Sequence, residues 1–114
     1  MSITTAIEKL KQEQKNIEES LKKLEMQKKE VNEKYASLLE EENKIHQELR
    51  KCRDPYQYSQ LEMRLFPIAR RRSEVEAEKQ ALERRIRGYQ EELEKIKSRI
   101  EYMKPKGNLI HPKE

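Results

Sequence analysis

The sequence predicts an all-α protein, a long antiparallel two-helix coiled-coil hairpin with a tight turn near residues 53–57. Three observations carry this. The 114 residues are 42% Asp, Glu, Lys and Arg and 33% hydrophobic, with two glycines and no tryptophan, a stock suited to long helices and too lean for a rounded core. Apolar residues recur with a 3.5-residue period through two long stretches. A single Asp-Pro step, Asp54-Pro55, separates them.

The first helix is expected over about residues 3–53. Steps of four and three from Ile3 give Ile7, Leu10, Gln14, Ile17, Leu21, Leu24, Lys28, Val31, Tyr35, Leu38, Glu42, Ile45, Leu49 and Cys52. Twelve of these fifteen positions are apolar, where the overall composition would give about five. Gln14, Lys28 and Glu42 share one heptad position, lower stability a little and help to fix register. Thr5 with Glu8 three residues on reads as a capping box.

The second helix is expected over about residues 55–103, with Asp54 as N-cap and Pro55 as first helical residue. Its seam runs Tyr58, Leu61, Leu65, Ile68, Arg72, Val75, Lys79, Leu82, Ile86, Tyr89, Leu93, Ile96, Ile100 and Met103, twelve of fourteen apolar. Pro67 predicts a kink or restart near Phe66, and Gly88 a weakness of about 1 kcal/mol against alanine. Pro105 and Gly107 end the helix, and residues 105–114 read as a disordered tail, so residues 1–104 form one hairpin domain.

In an antiparallel pair, facing residue numbers have a constant sum. A sum of 110 gives Leu10 with Ile100, Ile17 with Leu93, Leu21 with Tyr89, Leu24 with Ile86, Tyr35 with Val75 and Ile45 with Leu65. It sets every polar seam residue against an apolar one, Gln14 on Ile96, Lys28 on Leu82, Glu42 on Ile68, Arg72 on Leu38 and Lys79 on Val31, with the charged ends snorkelling outward. A sum of 103 stays open, and the seams also suit an intermolecular coiled coil. Asp54-Pro55 and the pairing arithmetic favour the hairpin.

Chemistry-bearing clusters are absent from the pattern, so no catalytic residue, metal ligand or cofactor is expected. His46, His111 and Cys52 have no ligand-like spacing, and the glycines form no phosphate loop. The lone Cys52 suits a reducing cytoplasm, and the lack of any long apolar window or leader-like start argues against membrane insertion. The net charge is +4, with basic clusters Arg70, Arg71 and Arg72 and then Arg84, Arg85 and Arg87. Glutamates 74, 76, 78 and 83 interrupt them, which disfavours nucleic acid and favours a solvated face or an acidic protein partner. Off-seam apolar residues crowd the turn half, and Leu39, Tyr56, Tyr58, Met63 and Phe66 form a candidate partner-binding patch. Packing around Pro67, or a homodimer built through off-seam residues, would account for them equally.

The stretch PYQYSQLEMRLFPIARRR from Pro55 to Arg72, with Tyr102-Met103-Lys104-Pro105-Lys106-Gly107-Asn108, resembles the central stalk proteins of type III secretion and flagellar export ATPases. The resemblance implies a non-enzymatic hairpin whose open end, with Lys9, Lys11, Arg99 and Lys104, enters a hexameric ATPase ring. The patch at the turn would meet the membrane export gate, and members also carry empty substrate chaperones. The rival expectation is a small adaptor or modulator, including a phage-encoded one, of another AAA-type hexamer such as a protease unfoldase.

Overall fold

The structure, a computed structural model, describes residues 2–104. Among them there are two helices and no strand, α1 over Ile3–Lys51 and α2 over Pro55–Met103, an all-α helical hairpin. Contacts group the residues into two units, one formed by the chain up to Leu24 with the chain from Arg85 onward, the other by Glu25–Arg84. The expected tail and the Pro105 and Gly107 stop signals lie outside the described residues.

Helix α1 starts at Ile3 as expected, but its cap lies three residues before the capping box expected at Thr5. The Ser2 hydroxyl accepts from the Thr5 N–H at 3.1 Å and its carbonyl accepts from Ala6, so Ser2 is the N-cap. Thr5 sits at the third helical position and exchanges a 2.9 Å hydroxyl contact with Ser2. The other end stops at Lys51, short of the expected residue 53. The Cys52 N–H reaches back three residues to Leu49, and its thiol donates to the Asp54 carbonyl at 3.4 Å, which closes the last turn early. Arg50 and Lys51 complement the carbonyl end of the helix dipole. The connection is therefore residues 52–54, and Tyr56 and Gln57 are already helical.

Asp54 caps α2 as its type predicts. Its carboxylate accepts from the Tyr56 N–H at 3.4 Å and its carbonyl from Tyr58 at 2.9 Å, and Pro55 occupies the first position, where no N–H is needed. Helix α2 then runs unbroken through Pro67, and the expected restart is absent. Proline's fixed φ is itself helical, and the residue whose carbonyl loses its donor, Met63, is 68% exposed, so water can serve it.

In the first unit Ile17, Ile96 and Ile100 are buried, with Ile7, Leu10, Leu21, Tyr89 and Leu93 packed against them. These are the residues that the sum of 110 stacks into successive layers. In the second unit Val31, Ile45, Val75 and Leu82 are buried, and Val75 is wholly inaccessible. Every seam position from Ile7 to Cys52 and from Leu61 to Met103 is at least partly covered. The seam fails at its first residues: Ile3 is 61% exposed, and Tyr58, which the register sets against Cys52 in the connection, is 41% exposed.

Candidate functional site

The polar seam residues resolve their burial in three ways. Gln14 stays on its own helix and donates to Glu18 at 3.4 Å. Lys28 reaches across to Glu83 at 3.7 Å. Glu42 does not snorkel past Ile68 as the pairing predicts; it is buried, and both its oxygens accept from the Arg72 Nε at 2.9 and 3.0 Å. Arg72 is half-buried, and hydrogen bonds to Glu42 first and Tyr35 second hold its guanidinium charged further into alkali than an ordinary arginine. Lys79 lies 5.4 Å from the centre of the Tyr35 ring, a cation–π contact that extends the cluster.

This network is the feature that layer-by-layer pairing misses. Side chains lean toward the N-terminus of their own helix, so in an antiparallel pair residues one layer apart lean toward each other. Glu42 leans down from the Ile68 layer and Arg72 leans up from the Leu38 layer. The cross-helix pairs Lys28–Glu83, Tyr35–Lys79, Tyr35–Arg72 and Glu42–Arg72 have numbers summing to 111, 114, 107 and 114, which bracket 110 and stand clear of 103.

The candidate patch at the start of α2 is open to solvent. Tyr56, Met63 and Phe66 are 70%, 68% and 63% exposed, and Tyr58 joins them at its lesser exposure. Tyr56 and Met63 are seven residues apart, directly opposite the seam, with Phe66 one turn on from Met63 and Pro67 beside it. The Tyr56 hydroxyl accepts from the Gln60 side chain at 2.9 Å. Leu39 is not part of this exposed set: it follows the seam residue Leu38 directly, and the flank of the helix pair half-buries it.

The basic candidates divide. Arg72 is withdrawn from any partner-facing set because Glu42 holds it. Arg71 contacts Glu74 at 3.5 Å, while Arg70, Arg84, Arg85 and Arg87 are exposed. Lys9, Lys11 and Arg99 are exposed, and Lys104 is bound to Glu101 at 3.3 Å. Among the described residues no three His, Cys, Asp or Glu side chains come together to hold a metal ion, and no helix is long and apolar enough to cross a membrane.

The solvent-facing aromatic patch on the helical hairpin presents a surface for other molecules. No family model matches the chain, and neither the curated proteins nor the solved structures give a significant match.

Proposed function

We propose that the chain is a non-enzymatic protein-interaction module, and in its specific form a stalk that couples a hexameric type III export ATPase to the export gate. The observation that supports it is the exposure of Tyr56, Met63 and Phe66 on the outer face of α2 beside the connection. Three large apolar side chains left in water on one short stretch are the usual anchors of a protein interface. The Pro55–Arg72 stretch that resembles the export stalks holds all three. In this reading the patch meets the gate, and the exposed bases Lys9, Lys11 and Arg99 of the first unit face the ring.

The test uses the purified chain and a purified type III export ATPase. Added chain is expected to raise ATP turnover and ring assembly, and the triple reversal Lys9→Glu, Lys11→Glu, Arg99→Glu to abolish the effect. Tyr56→Ala with Phe66→Ala should leave that effect intact while weakening capture of the gate's cytoplasmic domain at least tenfold. No effect on the export ATPase, with tight binding to a protease unfoldase, would replace the stalk with the adaptor.

A further inference from the structure

Gly88 lies in the middle of a 49-residue helix where alanine would be about 1 kcal/mol better, yet the fold has no steric need of it. A Cβ built there meets nothing within 4 Å. Glycine's remaining use on an open helix face is to let another backbone come close. Around it the first unit has an open groove of about 440 Å³ lined by Glu13, Glu91, Glu92, Lys95, Ile96 and Arg99 with Gly88 itself, and a second hollow shared with Arg85, Tyr89 and Glu92.

The charges around Gly88 are arranged symmetrically and with opposite sign. Arg84 and Arg85 precede it by four and three residues, and Glu91 and Glu92 follow it by three and four. All four are exposed, and none makes an ion pair or side-chain hydrogen bond among the described residues. On the helix Ala81, Gly88 and Lys95 form a central stripe, Arg85, Glu92 and Arg99 one flank, and Arg84 and Glu91 the other.

We propose that this face of α2 binds a second copy of the same chain, antiparallel, with the two-fold axis passing between the two Gly88 residues. A two-fold interface sets the same patch on itself. Here that places Arg85 beside Glu92 of the second copy on one flank and Arg84 beside Glu91 of the second copy on the other, each pair occurring twice. Ala81 meets Lys95, so no like charges face one another. A parallel pairing through the same stripe would set arginine on arginine and glutamate on glutamate, which selects the antiparallel arrangement. The interface is polar and narrow, so the association is weak and salt-sensitive. It uses neither the Tyr56 patch nor an ATPase and stands whether or not the stalk reading does.

Sedimentation equilibrium of the intact chain tests it. Dimer is expected at low salt, with association falling at least tenfold between about 20 and 500 mM salt. Arg85→Glu should weaken it at least tenfold, and Arg85→Glu with Glu92→Arg should restore it to within about threefold. Gly88→Gln should weaken it similarly while leaving helix content unchanged, which separates the effect from misfolding. In a Cys52→Ser background, Ala81→Cys chains mixed with Lys95→Cys chains should cross-link, and Ala81→Cys alone should not, because its two copies stand about 21 Å apart. A monomer at low salt up to about millimolar chain, a charge swap that restores nothing, or self-cross-linking of Ala81→Cys would each overturn the proposal.

Discussion

Val75→Ala probes the packing between the helices most cleanly. Val75 is wholly inaccessible, and the register places Tyr35 in its layer. Two methyl groups leave the interface, each worth about 0.8 kcal/mol of transfer, or roughly 1.6 kcal/mol. Incomplete collapse around the gap adds a few tenths, so the expected loss is about 2 kcal/mol. Ile3→Ala removes a larger side chain from the same nominal seam, but Ile3 is mostly in water, and its loss should stay below about 0.5 kcal/mol. Urea unfolding followed by far-UV circular dichroism reads both, with an unchanged slope as the sign that the two-state comparison is valid. A Val75→Ala loss below about 0.5 kcal/mol, or one no larger than that of Ile3→Ala, would refute the packing of α2 on α1 at this layer.

Three further outcomes are expected. Arg72→Leu should lower the melting temperature by stranding buried Glu42, while Glu42→Leu with Arg72→Leu should recover or exceed the original stability; a double variant less stable than the single would contradict it. Folding raises the Arg72 pKa, so its contribution is complete below the unfolded arginine value and is lost only as pH climbs through the folded one; stability measured from neutral pH to about 9 should show no loss that the Arg72→Leu variant lacks. Pro67→Ala should stabilise by about 2 kcal/mol, from about 3 kcal/mol of helix propensity less about 1 kcal/mol of unfolded-chain entropy, and destabilisation in urea would show that Pro67 serves the fold.

Both helices and the Asp54-Pro55 start were legible because their signals are local, a 3.5-residue apolar period and a cap followed by proline. The start near residue 3 was legible too, but the cap at Ser2 was not, since Thr5-Glu8 is as good a cap in composition and only the Ser2–Thr5 bond decides between them. Pro67 misled because its fixed φ is itself helical and because sequence alone does not reveal that Met63, four residues before it, is left exposed. Register could be narrowed from facing pairs, but the Glu42–Arg72 link depends on side-chain lean along the helices, which a layer count omits. The exposed Tyr56, Met63 and Phe66 were readable as off-seam residues, whereas Leu39 was not separable from them without the flank that half-buries it. What these residues bind is carried by partners, and no spacing in a heptad sequence encodes a partner.

The most direct test of the stalk is the stoichiometry with which the chain binds a type III export ATPase, counted by mass measurement of single complexes. A shaft seated in a ring occurs as about one chain per six ATPase subunits, and that ratio is the predicted result. Six chains per ring, as a peripheral adaptor would give, or no binding at all would contradict it.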